Sequence, residues 1–211
     1  AKSGRRMLIT KGAPEGVLEA CTRLELGPDG ADVRDMTPEL RAAVLDEFER
    51  LSSNGYRAVA VAYRTIGNGR EVYSIADESN MTFVGYVSFV DPPKESTREA
   101  LEQAEALGVE IKILTGDNEL VTARICERVG LKVKGVLMGQ DVDALDDSEL
   151  AARAEQATVC ARLSPDQKDR IIAALKRSGH VVGYMGDGIN DAPSLRTADV
   201  GVSVSNAVDV A

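Results

Sequence analysis

The sequence predicts an α/β chain of two domains, and three observations carry that prediction. Strand-like and helix-like segments alternate along the second half, the pattern of a parallel sheet with helices on both faces. The first half instead runs from a helix into two long strands. Between the halves, Asp91-Pro92-Pro93 sets two prolines in a row, which ends a sheet and stiffens the chain path. Residues 1–90 are therefore expected to be part of one domain and residues 91–211 a second.

Each element has its own local warrant. Leu40, Val44, Leu45, Phe48 and Leu51 recur at helical spacing, with Thr37 as N-cap and Pro38 in the first turn. Asn54-Gly55 ends that helix, and Tyr56 to Tyr63 reads as a strand, as does Phe83 to Val90. Beyond the prolines, a helix near Glu95 to Leu107 precedes the strand "VEIKIL", and a helix from about Glu119 to Val129 follows. Then come the short strand "VLMG", an acidic helix near Asp147 to Gln156, and the strand "TVCA". Ser164 as N-cap and Pro165 in the first turn open a helix to Lys176. The strand "VVGYM", a short helix after Asn190 and the strand "VGVSV" complete the pattern.

Composition narrows the function. A chain of 211 residues, 44% apolar and 28% charged, can bury a substantial core as an ordinary globular protein. The formal charge of -9 argues against a nucleic-acid partner, whose phosphates require a basic face. It suits either a metal-ion binder or a plainly solvated acidic surface. Cys21, Cys126 and Cys160 are far apart and odd in number, so neither a disulfide framework nor a zinc site follows, and a reducing compartment is expected. His180 is the single histidine, which excludes a histidine-dependent triad and a multi-histidine metal site. No apolar run approaches the ~18 residues of a membrane span, and the first residues lack the apolar middle of a signal peptide.

Three polar signals fall at the carboxyl ends of predicted strands, where folds of this class gather ligands. Thr115-Gly116-Asp117 follows "IKIL", and its hydroxyl and backbone N–H groups can hold a phosphate-like anion; the same residues also make an ordinary turn. Lys168 lies near the first turn of a helix, where a cation opposes the helix dipole. That conflict suggests an anionic partner, although a solvated lysine is the other reading. Gly186-Asp187-Gly188 ends the strand "VVGYM", and Asn190 and Asp191 open the next helix. Two aspartates so placed can converge on a hard divalent cation. A plain helix N-cap would account for Asn190 or Asp191 but not for Asp187 between two glycines. Neither G-x-x-x-x-G-K-[ST] nor G-x-G-x-x-G is present. The chemistry suggested is a phosphoryl group held by threonine, backbone N–H and lysine, with Mg²⁺ neutralising charge.

These residues resemble a known family. "TGD", "SPDQK" and "GDGINDAPSL", in that order and spacing, resemble the phosphorylation domain of P-type ATPases, which has a haloacid dehalogenase-like fold with a Rossmann-like parallel sheet. "KGAPE" at Lys11 to Glu15 resembles the family's α+β nucleotide-binding domain, and "DPPK" at Asp91 to Lys94 its hinge, usually written DPPR. The resemblance implies that Lys11 and Gly12 line an adenine pocket, that Arg57 reaches the ATP phosphates, and that Asp91 sits at the hinge near the ribose. It implies that Thr115 and Gly116 bind the transferred phosphoryl with Asp117 beside them, and that Lys168 bridges the phosphoryl and the phosphorylated aspartate. Asp187 would hold Mg²⁺, with Asn190 and Asp191 completing that site. The stretches "ADESNMTFVGYVSFVDPPKEST", "VKGVLMGQDVDAL" and "GVSVSNAVDVA", and Lys94 itself, look most like the magnesium-importing branch; a calcium or other cation pump is the near alternative.

The family's phosphorylated aspartate lies in D-K-T-G-T, which does not occur here. The resemblance therefore implies a soluble fragment of a pump at the cytoplasmic face of the membrane. Its partners would be ATP, Mg²⁺, the nucleophile segment, an actuator domain and the membrane helices. Alone it is expected to form no phosphoenzyme, and to be marginally stable or self-associating, because the nucleophile strand belongs mid-sheet in that fold. A soluble phosphatase of the same fold lacks support, since it would leave "KGAPE" and "DPPK" unexplained. A non-catalytic nucleotide-binding module is the alternative of a different class.

Overall fold

A computed structural model of the chain describes residues 6–27, 32–67, 72–186 and 191–203. The chain divides into two units, Ala1–Asp91 and Pro92–Ala211.

In the first unit the strands are β1 (Arg6–Gly12), β2 (Cys21–Leu26), β3 (Asp32–Asp35), β4 (Arg57–Ile66) and β5 (Met81–Phe89). They form one sheet in the order β1-β4-β5-β2-β3, antiparallel except where β2 meets β5. Helices α1 (Pro14–Glu19) and α2 (Pro38–Ser53) supply the apolar stripes against it. Val17, Leu18, Leu24, Ala60, Ala62, Met81 and Phe83 form the buried cluster, with Leu40, Val44 and Leu45 of α2 packed on it. Thr37 caps α2 by accepting from Leu40 N–H, and Asn54 with Gly55 (φ 83°) closes it, as the sequence predicts. Arg41 locks α2 to α1 and to the start of β2 by donating to the Leu18 carbonyl at 2.6 Å and the Cys21 carbonyl at 2.9 Å.

Alternation along β4 then decides what the other face carries. Ala60 and Ala62 point into the core, so Arg57, Val59 and Val61 share the opposite face. Register places Lys11 opposite Val61, and Arg57 opposite Phe89. Lys11 and Arg57 therefore lie on one face with Ile9, Val87 and Phe89, of which Ile9 is 65% and Phe89 53% exposed.

The second unit runs α3 (Thr97–Ala106), β6 (Ile113–Leu114), α4 (Glu119–Val129), β7 (Val136–Met138), α5 (Gly139–Ala144), α6 (Asp147–Gln156), β8 (Val159–Ala161), α7 (Pro165–Arg177), β9 (Gly183–Gly186), α8 (Ala192–Thr197) and β10 (Val200–Ser203). All its strand pairings are parallel, as alternation with helices predicts. Among the described residues they form two sheets, β6-β8-β7 and β9-β10, where the sequence suggests one. The expected strand "VEIKIL" is also shorter, being paired only at Ile113 and Leu114. Lys112, just before that pairing, sends its ammonium to the Glu155 and Ala157 carbonyls at 2.8 Å each. Leu137, Val142, Leu150, Ile171 and Leu175 fill the core between β7, β8 and helices α5 to α7.

Cys21, Cys126 and Cys160 are buried free thiols. Burial raises all three, Cys21 and Cys160 to about 11 from an ordinary 9.0. Because the thiolate is the nucleophile, the folded chain is expected to resist a disulfide reagent at pH 8, all three thiols reacting once urea unfolds it. The sign of the linkage follows: with folded values raised, this stabilisation is intact below about 9 and lost as pH climbs towards 11. A urea midpoint that does not fall across that window would contradict it.

Candidate functional site

In the second unit the candidate residues lie at or just beyond strand ends. Thr115 continues β6 by donating its N–H to the Cys160 carbonyl at 2.9 Å. Its hydroxyl then accepts from Asp117 N–H at 3.0 Å, which folds Thr115-Gly116-Asp117 into a tight turn. The end of β8 is stitched to this turn: Arg162 N–H donates to the Asp117 carbonyl at 2.9 Å and Leu163 N–H to the Thr115 carbonyl at 3.0 Å. Arg162 takes a left-handed backbone (φ 54°), uncommon outside glycine, to make both connections possible. Its guanidinium pairs with Glu119, at the first turn of α4, at 2.8 Å. Burial pushes that carboxyl up, but the hydrogen bonds from Arg162 and from its own amide leave it below the usual range.

Ser164 starts α7 with a reciprocal cap: its hydroxyl accepts from Gln167 N–H while the Gln167 side chain accepts from Ser164 N–H. Lys168 follows one residue later, and the anionic partner that its position suggests is Asp191. The ammonium lies 2.9 Å from Asp191 Oδ1, with the two side chains 15% and 12% exposed. Asp191 precedes α8 in the N-cap position, yet its carboxylate does not cap that helix. It faces Lys168 instead, so the plain-cap reading does not hold for this aspartate.

Two features of the Asp191 surroundings were not flagged by the sequence. Tyr184 of β9 donates its hydroxyl to the same Oδ1 at 2.7 Å. The one available signal was a tyrosine two residues before the end of a strand that leads into the acidic loop. The second is the reason for Gly186: a Cβ there would lie 2.6 Å from Asp191 Cβ and 3.0 Å from Oδ2. Glycine lets the carboxylate lie against the end of β9. Asp187 and Asn190 fall outside the described residues.

In the first unit Lys11 is the last residue but one of β1, before Gly12, and Arg57 begins β4 on the same exposed face as Lys11. That face offers apolar strand residues flanked by two cations. Asp91 is exposed at the last position of this unit. The chemistry open to these groups is recognition of a flat apolar ring with attached anions in one unit, and handling of an anion by a paired lysine and carboxylate in the other.

Comparison with known proteins gives the same direction. A family model described as "P-type ATPase, cytoplasmic domain N" matches residues 1–96. "Magnesium-transporting ATPase, P-type 1" of Salmonella typhimurium is 44% identical over 209 residues, covering 99% of this chain and 23% of the relative. The protein of the same name from Escherichia coli K12 is 46% identical over 204 residues, 97% of this chain and 22% of the relative. "Calcium-transporting ATPase 1" of Lactococcus lactis is 32% identical over 210 residues, 99% of this chain and 24% of the relative. The chain thus spans under a quarter of the length of these curated relatives, and among its described residues no helix is long and apolar enough to cross a membrane. The matches to P-type ATPases run through both units, the family model over residues 1–96 and the relatives over 97–99% of the chain.

Proposed function

We propose that this chain is the part of an ATP-driven cation pump that binds the nucleotide and handles the transferred phosphoryl group, working through an aspartyl phosphate at the cytoplasmic face of a membrane. The observation that carries this reading is the largely buried Lys168–Asp191 pair, with Asp191 turned away from its helix and towards the lysine. Magnesium is the proposed cargo, because the magnesium-transporting relatives are 44–46% identical against 32–33% for the calcium-transporting ones. The remaining partners in this reading are the phosphorylated aspartate, the actuator domain and the membrane helices, carried by the rest of a pump about four times as long as this chain.

The second unit is proposed to be a haloacid dehalogenase-like phosphorylation domain; its parallel strands and strand-end site support that reading. In it, Thr115 and the Gly116 amide receive the phosphoryl oxygens, with Asp117 closing the turn beneath them. Lys168 starts on Asp191 and moves its charge to the phosphoryl when that stronger anion arrives. The donor chemistry fits a Mg²⁺ ion: Asp191 offers a hard carboxylate oxygen, held in a largely buried site beside the close approach of Gly186. Asp187, with Asn190 and Asp191, would hold it. When bound, Mg²⁺ would offset charge on the phosphoryl oxygens.

In the first unit, the apolar face beside Lys11 and Gly12 is proposed to take the adenine, Arg57 the phosphates and Asp91 the ribose. Charge-assisted hydrogen bonds are the stronger kind, so Lys11→Ala and Arg57→Ala are each expected to weaken ATP binding about tenfold by calorimetry. Affinities that survive both substitutions would remove this face from the reading. Acid-stable transfer of labelled phosphate from ATP onto this chain by itself would overturn the assignment of the nucleophile to another segment.

A further inference from the structure

We infer that Tyr184 is a positioning residue for the phosphoryl and Mg²⁺ site, the donor that keeps the Asp191 carboxylate in place when Lys168 turns to an incoming phosphoryl group. The inference rests on the reading of Lys168 and Asp191 given above and goes beyond it.

The geometry begins with one oxygen that has two donors. Asp191 Oδ1 accepts from Lys168 Nζ at 2.9 Å and from the Tyr184 hydroxyl at 2.7 Å. The two donors come from different elements. Lys168 is near the start of α7, on a long stem with several rotatable bonds, while Tyr184 is in the middle of β9. Pairing of Tyr184 with Gly201 in β10 fixes its backbone. A tyrosine has two side-chain torsions and a rigid ring, so its hydroxyl cannot swing away as an ammonium can. The carboxylate also packs against the end of that strand, because Gly186 admits it. Strand β9 thus supplies both a surface for Asp191 and a fixed donor to it.

That difference in mobility gives the two donors different tasks. A lysine that binds a phosphoryl group must loosen its hold on Asp191, and the carboxylate then depends more on its other contacts, the Tyr184 hydroxyl among them. The tyrosine hydroxyl is uncharged, so it holds the carboxylate without competing with a metal ion by charge. Lys168 is the donor that changes partners and Tyr184 the donor that stays.

The test is a Mg²⁺ titration of this chain, followed through the amide shifts of Gly183 to Gly186, for the unsubstituted protein and Tyr184→Phe. Phenylalanine keeps the ring and deletes the hydroxyl alone. With Lys168 present, Tyr184→Phe is expected to weaken Mg²⁺ binding about threefold; in the Lys168→Met background, where the second donor is gone, about tenfold. If Lys168→Met does not fold, inorganic phosphate added to the Lys168 protein draws the ammonium away and allows the same comparison. A hydroxyl that serves only the fold would lower the melting temperature and leave both Mg²⁺ midpoints within twofold, which would overturn the inference. Asp191→Asn separates this from the underlying reading. Loss of Mg²⁺ binding in Asp191→Asn but not in Tyr184→Phe sinks the tyrosine role alone. Unchanged binding in Asp191→Asn, or no binding by the unsubstituted chain, sinks the site reading itself.

Discussion

Lys168→Met is expected to destabilise the second unit by about 2–3 kcal/mol, while Asp191→Asn costs roughly half as much. The asymmetry follows from what each change leaves behind. Methionine fills the space of the lysine stem but removes the ammonium from a carboxylate that is 12% exposed, with Tyr184 still donating to it. Removing one member of a fully buried pair typically costs about 3–5 kcal/mol, and the residual exposure together with the retained hydroxyl bond brings this case just below that range. Asparagine at 191 keeps an oxygen for both donors, and the lysine ammonium, on its flexible stem, can reach water. Urea melts of the two single variants and the double variant would measure this, with Lys168→Met/Asp191→Asn expected within about 1 kcal/mol of Asp191→Asn alone. A cost below about 0.5 kcal/mol for Lys168→Met would class the pair with ordinary surface ion pairs and remove the main support for the proposed function.

The second large effect is expected at a position with no polar chemistry. Gly139 opens α5, and a Cβ there would sit 2.3 Å from the Arg162 carbonyl oxygen and 2.6 Å from Gln167 Oε1. The glutamine can move; the backbone of Arg162 cannot without consequence. That residue holds a left-handed conformation and donates to the Asp117 carbonyl, and its neighbour Leu163 donates to the Thr115 carbonyl. Gly139→Ala is therefore expected to cost about 2–3 kcal/mol as an overpacked contact and to displace the Thr115 turn. Gly179 provides the contrast. It has φ 90° and nothing within 4 Å of an added Cβ, so alanine there costs only the conformational strain of about 1–2 kcal/mol and leaves the turn unmoved. Equal amide-shift changes at Thr115 in both variants would show that the Arg162 connection does not transmit the clash.

What the sequence could and could not reveal follows from the range of the forces involved. Caps are local, so Thr37 and Ser164 were legible from residues a few positions away. Lys168 was legible for a related reason: a cation near a helix start is a local conflict, and such a conflict points to a partner even when it cannot identify it. Asp191 is 23 residues further along and was found as an acid near a helix start, but its choice between capping and pairing depends on how α7 packs against α8. Tyr184 was missed because an apolar run with a tyrosine in it reads as core, and nothing in its neighbours aims the hydroxyl. The strand "VEIKIL" was overextended because alternation predicts a capacity for pairing, whereas pairing also requires a neighbour of matching length. The shared face of Lys11 and Arg57 depends on the register between β1 and β4, which no single strand specifies.

The two sheets described in the second unit are unequally shielded, and that inequality sets an order of local opening. Strand β8 has β6 on one side and β7 on the other, and Val159, Cys160 and Ala161 are wholly buried. The β9–β10 ladder consists of four residue pairs, with Met185 69% and Val200 54% exposed. Amide protons of β8 should therefore exchange with solvent only on global unfolding, whereas those of β9 and β10 exchange through a smaller fluctuation. Asp191 sits on the chain between these last two strands, so each such fluctuation also unseats the carboxylate from Lys168. The free energy of that opening is then a ceiling on how firmly the site can be held, and a ligand that spans the acidic loop would show itself as slowed exchange in β9 and β10 before any change in β8.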